Sequence, residues 1–284
     1  MKKYLEFKEK VSSYEDIGMT VKTIEQVAAS QIHTFKDTLN NLNQYISAIT
    51  TTLQRLTYYY KPYNHALLQQ KTSGKKVLFL ITSDKGLVGG LFHLVISHVM
   101  AIKSEYSTIY AIGQRGKRYL HEEDIKIIDQ IFELSAIPSS EEIEVITNFI
   151  FSLYMNHGIM AVDIVYPSFV SISEQAPTVT PFLPFVFTQP QTRESESVAL
   201  GFPLFESAKK DIYTFLLERY IHSIFYKIVV EAKLSEFAAR TIAMEHASAK
   251  IKKFSSQISQ EYFKERRTSV TQKQLESFTA HKQL

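Results

Sequence analysis

The sequence predicts an α/β fold in which a long antiparallel coiled coil, formed by the N- and C-terminal helices, carries an inserted α/β domain with a largely parallel sheet. Three observations support this prediction. Apolar residues repeat as heptads near the N-terminus, short apolar runs alternate with helical segments in the middle, and residues 205–284 contain neither glycine nor proline. We therefore expect an N-terminal coiled-coil helix (1–70), an α/β foot domain (75–200) and a C-terminal coiled-coil helix (205–284).

The N-terminal region carries a heptad seam, because its apolar residues are separated by alternating steps of three and four. The seam consists of Ile32, Phe35, Leu39, Leu42, Ile46, Ile49, Leu53 and Leu56. Before Pro62 there is no proline, and Gly18 is the only glycine, so little in the sequence breaks a helix here. A helix of about 55 residues is ~80 Å long, which exceeds what a compact domain needs. We therefore expect it to pair with another helix.

The middle region alternates strands with helices, which indicates a layered domain with a mostly parallel sheet. The run at 77–82 is continuously apolar, as is typical of a strand that is buried on both faces. The predicted strands are 77–82, 108–112, 161–166 and 178–180, and helices follow the first two. Ser139 and Ser140 precede two glutamates, which predicts a capped helix that extends to about residue 155.

A glycine-rich turn follows the first predicted strand and contains Asp84, Gly86, Gly89 and Gly90. Such a loop is either a tight strand-to-helix turn or a phosphate cradle at a helix N-terminus. The glycines lack the spacing of a dinucleotide-binding motif, and no Gly-x-x-x-x-Gly-Lys-Ser/Thr run occurs in the chain. These observations favour the structural turn.

Composition argues against several classes of function. Cysteine is absent and the nine histidines are scattered, so we expect no thiol nucleophile and no metal site. A net charge of +3 is too small to indicate nucleic-acid binding. No apolar run approaches the ~20 residues of a membrane helix, and residues 1–10 lead us to expect no secretory signal. We expect neither a cofactor, nor catalysis by this chain alone, nor direct insertion into a membrane.

Several motifs, in the right order along almost the whole chain, resemble the gamma subunit of F-type ATP synthases. Residues 82–92 are similar to the family's Thr-Ser-Asp-Arg-Gly-Leu-Cys-Gly-Gly-Leu-Asn, and residues 112–116 to its Ile-Gly-x-Lys-Gly. The most specific match is at 235–244, where the family has Ser-Glu-x-x-Ala-Arg-Met-x-Ala-Met. Residues 263–272 weakly resemble Asn-Arg-Ala-Arg-Gln-x-x-Ile-Thr. Phe263 and Arg267 depart from this last motif, so the chain resembles a divergent member.

The resemblance implies a non-catalytic rotor, the central stalk whose rotation is coupled to conformational cycling of a catalytic ring. It implies alpha and beta subunits as partners of the helical end, and an epsilon-like subunit and a membrane c-ring as partners of the foot domain. Residues expected to contact the ring are Arg240, Lys264, Arg266, Arg267, Thr271 and Gln272. The implied location is cytoplasmic, at the periphery of the inner face of a membrane.

Two other classes remain open from the residues alone. The first is an α/β enzyme that binds a phosphate or nucleotide and dimerises through a helical arm, and a phosphate bound at residues 86–90 of the isolated protein would identify it. The second is a cytoskeletal or adaptor coiled coil with a globular insert, which would self-associate without any ATPase partner.

Overall fold

The computed structural model describes residues 3–59, 65–122, 132–156, 158–186 and 208–281. The described helices and strands follow the predicted order. They are α1 (Lys3–Tyr59), β1 (Lys75–Ile81), α2 (Leu91–Ile102), β2 (Thr108–Ile112), α3 (Gln114–Glu122), α4 (Ser140–Asn156), β3 (Ile159–Phe169), β4 (Gln175–Leu183) and α5 (Lys209–His281). Short 3-10 helices occupy Ala66–Leu68 and Lys103–Glu105.

The chain forms two compact units, and both terminal helices contribute residues to each of them. Unit 1 comprises residues 1–30 and 240–284, and unit 2 comprises residues 31–239. The sequence-based boundaries at 70, 75, 200 and 205 differ from these, because they were placed where long helical sequence changes to mixed sequence and back. Of these, 200 and 205 lie outside the described residues.

Unit 2 contains a four-stranded sheet with the order β2-β1-β3-β4. β1 pairs in parallel with both β2 and β3, and β4 pairs antiparallel with β3 at the edge. A largely parallel sheet is therefore present, as the alternating pattern predicted. The fourth strand is longer than the predicted 178–180, because its pairing with β3 extends from Gln175 to Leu183.

The sheet is covered on both faces, which explains the uninterrupted apolar run of β1. Val77, Phe79 and Ile81 belong to one core cluster, which also contains side chains of α1, α4 and α5. Leu78 and Leu80 point to the opposite face and pack with α2 and α3 residues in a second cluster. Since successive strand residues point to opposite faces, both sets must be apolar.

The heptad seam of α1 lies entirely in unit 2 and is turned inward. Its buried members are Ile32, Phe35, Ile49, Leu53 and Leu56, and its half-buried members are Leu39, Leu42 and Ile46. Phe35 stacks on Phe237 of α5, with ring centroids 5.4 Å apart. The terminal helices thus pack on each other through the predicted seam, as the fold class required.

The beginning of α4 is a capping box, in agreement with its sequence. The backbone N–H of Glu142 donates to Ser139 Oγ at 3.3 Å, and the Ser139 N–H donates to Glu142 Oε2 at 3.3 Å. Two backbone donors that the helix leaves without partners are thereby satisfied.

Candidate partner interface

Unit 1 is built from antiparallel segments of α1 and α5. Lys3 Nζ lies 2.9 Å from Glu265 Oε1, and the rings of Tyr4 and Tyr262 are 6.4 Å apart. Further along, the rings of Tyr14 and Phe254 are 6.3 Å apart. As the residue number rises on one helix it falls on the other, so the segments run in opposite directions.

The residues that the sequence predicts to contact the ring lie on this unit, and most of them are exposed. The exposed members of the predicted contact set are Lys264, Arg266, Arg267, Thr271 and Gln272. Arg240 differs, because it is only 7% exposed. Little of its side chain is available to another subunit, and its expected contact role remains a prediction.

Large apolar side chains are exposed beside these charges, a feature that the sequence analysis did not identify. They are Leu5, Ile17, Met19 and Val27 on α1, and Phe254, Phe263, Val270, Leu275 and Phe278 on α5. Phe278 is 74% exposed and Met19 is 64% exposed. Exposed apolar side chains on the same element as exposed charges are a feature of many protein-binding regions. No signal in the sequence marked them, because an apolar residue in a helical pattern does not show whether another helix covers it.

The glycine-rich turn has a structural explanation in unit 2. Asp84 Oδ1 accepts the backbone N–H of Gln114 at 2.8 Å, so the carboxylate caps the beginning of α3. Gly89 has a φ of 57°, in the left-handed region that favours glycine, whereas Gly90 has open space around its Cα. The atoms nearest to a Cβ at Gly86 would be those of the Arg115 guanidinium group, the closest at 2.7 Å.

Beside the N-terminus of α2, where a phosphate would have to bind, apolar side chains are buried against α5. Val88, Leu91 and Phe92 are buried together with Ala239 of α5 in one cluster. The Leu91 N–H already donates to Val88 O at 3.3 Å. The geometry thus supports the structural interpretation of the turn.

Thr82, the residue after β1, connects the glycine-rich turn to the turn between β2 and α3. Its hydroxyl donates to Ile112 O at 3.0 Å and accepts the Gly116 N–H at 2.9 Å. A Cβ on Gly113 would lie 2.6 Å from Thr82 O, and one on Gly116 would lie 2.5 Å from Thr82 Oγ1. Two glycines are therefore required because the backbone approaches Thr82 so closely.

The middle of α5 contains buried charges that the sequence analysis did not single out as a pair. Lys233 Nζ lies 3.5 Å from Glu236 Oε2, and the two side chains are 6% and 7% exposed. Ser235, between them, is fully buried, and its hydroxyl has no hydrogen-bond partner among the described residues. At i and i+3 on a helix, such a pair looks in sequence like an ordinary surface pair.

A shallow cavity of about 190 Å³ lies in unit 2 where α1, α4 and α5 meet, lined in part by Tyr45, Glu144 and His222. Desolvation by burial lowers the pKa of His222 from its usual value, so the neutral imidazole is favoured there. No group of histidines and carboxylates able to hold a metal ion occurs among the residues that the structure describes. In the same part of the chain, no helix is long and apolar enough to cross a membrane.

Similar solved structures share this arrangement of terminal helices and inserted domain. A chain in the rotor structure of the Euglena gracilis mitochondrial ATP synthase aligns with a TM-score of 0.63 at 16% identity, covering 94% of this chain and 99% of that one. A chain in the OSCP/F1/c-ring structure of the same ATP synthase aligns with a TM-score of 0.65 at 18% identity, covering 98% and 93%. The fold is therefore that of ATP synthase rotor proteins.

Sequence comparison identifies the family. The ATP synthase gamma chain of Staphylococcus saprophyticus is 26% identical over 270 residues, which are 93% of this chain and 92% of the relative. That of Thiobacillus denitrificans is 28% identical over 273 residues, 94% of each. The profile of the family described as ATP synthase matches residues 3–277. The chain belongs to this family, as a gamma subunit, the non-catalytic central stalk of an F-type ATP synthase.

Proposed function

We propose that unit 1 is the surface through which this gamma subunit contacts a ring of alpha and beta subunits, and that its rotation is coupled to their conformational cycling. The observation that carries the proposal is the combination of exposed arginine and lysine with exposed apolar side chains on one helix pair. A ring closed around the pair would cover them.

The helix pair can act on the ring through its asymmetry. α1 and α5 present different side chains around their circumference, so each rotational angle offers each beta subunit a different set of contacts. A contact that differs in free energy between two conformers of a beta subunit shifts the population of those conformers. The same coupling, acting in reverse, lets hydrolysis turn the helices.

Arg266 and Arg267 are the residues of the predicted set best suited to charged contacts. Both are exposed, and a guanidinium group forms bidentate hydrogen bonds with carboxylates. We assign Lys264, Thr271 and Gln272 to the same surface. Arg240 is assigned a supporting role, because it is buried.

The α/β domain of unit 2 carries exposed apolar side chains of its own, including Leu94, Val145 and Met155. We assign this domain to contacts with an epsilon-like subunit and a membrane c-ring. The complex would then hold the chain at the periphery of the membrane, on its inner, cytoplasmic face.

The test is affinity purification of the tagged chain from its own cells, with mass spectrometry of the proteins that accompany it. We expect ATPase alpha and beta subunits, and epsilon-like and ring subunits with them. Recovery of the chain without alpha or beta subunits after gentle lysis would refute the proposal. A large homo-oligomer without ATPase subunits would instead support the adaptor class.

The contact residues need a separate test with a matched control. We expect Arg266→Ala combined with Arg267→Ala to lower the torque or the coupled turnover of the purified complex, because two charge-assisted contacts are lost. Lys209→Ala combined with Lys210→Ala removes the same charge from exposed positions of the same helix outside unit 1. Equal effects of the two double substitutions would remove Arg266 and Arg267 from the mechanism.

A further inference from the structure

Around its middle, α5 is buried on every side. From Ile228 to Ala239, every residue except the half-buried Glu231 is buried. Twelve residues make more than three helical turns, so all faces of the helix are covered in this segment. We call residues 228–239 the buried segment of α5. Its surroundings are mostly apolar, as expected for a helix that is enclosed by its own domain.

Lys233 and Glu236 are the two buried charged residues of this segment, and they form an ion pair. The pair faces a narrow crevice that is also lined by Ile81, Thr82, Phe92 and Pro167, from β1, its following turn, α2 and β3. The crevice has a volume of about 10 Å³, which admits about one water molecule at most. The two charges are therefore largely removed from water and are held 3.5 Å apart.

A pair of this kind is not explained by stability. Removing two charges from water costs free energy, and their mutual attraction often does not compensate for it. Apolar residues of similar size commonly give a protein of equal or greater stability. Apolar contacts, however, are not directional, so an apolar helix in an apolar enclosure can occupy several rotational positions. A buried polar group removes that freedom, because only one position places it in a suitable environment.

We propose that Lys233 and Glu236 fix the rotational position of α5 within the α/β domain of unit 2. Displacing the helix by one residue turns it by about 100° and would carry the pair from the crevice at Thr82 into apolar packing. The pair thus penalises alternative positions. As positioning residues, they would also prevent α5 from turning within the domain when torque is applied. Only this role under torque rests on the proposed rotor function.

The first test measures the helix position directly in the full chain. The chain has no cysteine, so His93→Cys on α2 and Lys210→Cys on α5 provide two unique sites for spin labels. The test substitution, Lys233→Met with Glu236→Gln, removes both charges while keeping the size of the side chains and a hydrogen-bonding amide at 236. We expect a second distance to appear, its population raised about tenfold over the parent chain, equivalent to ~1.4 kcal/mol of lost discrimination. A single distance as narrow as that of the parent would overturn the proposal.

Two control variants make the result specific. Arg219→Met with Glu144→Gln neutralises an ion pair of unit 2 whose side chains are 43% and 52% exposed, and should leave one distance. Lys233→Glu with Glu236→Lys exchanges the partners and should also keep one distance. If the neutral variant does not fold while the exchanged variant does, the pair carries stability rather than position, and the inference fails. Failure of both to fold leads to the same conclusion.

The second test addresses torque in the assembled complex. In membrane vesicles, the neutral variant should hydrolyse ATP at the parent rate and pump fewer ions per ATP. Parent-like pumping with a second spin-label distance would retain the positioning role and reject the role in torque. A chain that never assembles with ATPase subunits would reject the proposed function and leave the distance measurement unaffected.

Discussion

The close approach of two turns around Thr82 leads to a prediction for Gly116→Ala. Gly116 is buried in the first turn of α3, and the new methyl group would lie 2.5 Å from Thr82 Oγ1 and 2.8 Å from Thr82 Cγ2. Either Thr82 or α3 must move. Movement weakens the hydrogen bond that the Gly116 N–H donates to Thr82 Oγ1, now 2.9 Å long.

The magnitude follows from three contributions. Replacing glycine by alanine within a helix stabilises by about 0.5–1 kcal/mol. Overpacking costs about 1–3 kcal/mol, and the weakened hydrogen bond costs up to ~1 kcal/mol. The expected net result is a loss of about 1–3 kcal/mol in the local free energy of unfolding.

Gly18→Ala is the matched control, because it makes the same change inside α1. Its methyl group would approach Ile251 Cγ2 at 3.4 Å, an ordinary contact. The helical contribution then dominates, and we expect unit 1 to gain up to ~1 kcal/mol. The two substitutions should therefore have opposite signs.

Native-state hydrogen exchange of the full chain, read by mass spectrometry, measures both effects locally. Peptides from β1 and β2 should exchange faster in Gly116→Ala, and peptides around residue 18 should exchange more slowly in Gly18→Ala. If Gly116→Ala protected β1 and β2 as well as the parent chain does, the steric argument at Thr82 would be wrong.

Three further predictions concern unit 2. Tyr106 Oη donates to Asp163 Oδ2 at 2.7 Å, and Tyr106→Phe should lower the free energy of unfolding by about 1–2 kcal/mol, measured by urea denaturation; no loss would mean that water replaces the hydroxyl. Ser235→Ala should be neutral or raise that free energy by up to ~1 kcal/mol, because it removes a buried hydroxyl that has no partner in the described part of the chain; a clear loss would indicate a further partner. Burial lowers the pKa of His222 below 6.5, so as the pH falls the unfolded chain binds a proton at this histidine before the folded chain does, and stability should fall below about pH 6.5. His222→Gln should flatten this pH dependence in thermal melts at different pH values. An unchanged slope would mean that other groups cause the pH dependence.

Much of the fold could be predicted because its signals are periodic. The steps of three and four from Ile32 to Leu56 determine one face of a helix, and the continuous run of β1 is explained by its two covered faces. β4 was only partly predicted, since an edge strand with prolines and few large apolar residues lacks that signal. The division into two units within continuous helices leaves no mark in composition, so no boundary was predicted at residues 30 or 240.

The candidate interface was predictable only where charge accumulates. The basic end of α5 stands out in the sequence, and the structure shows Arg266 and Arg267 exposed. The exposed Phe278 and Met19 were not predicted, because an apolar residue in a helix does not reveal whether another helix covers it. The buried Lys233–Glu236 pair was missed for the reverse reason, since charged residues are taken to be exposed unless tertiary contacts show otherwise.

The central claim is that this chain turns inside a catalytic ring, and rotation measured on single molecules tests it most directly. His93→Cys supplies an exposed attachment site on unit 2 in a chain without other cysteines. A probe attached there should rotate in one direction when ATP is added to immobilised complexes of the chain with alpha and beta subunits from the same cells. It should stop when ATP is removed. Complexes that hydrolyse ATP while the probe stays still would contradict the account.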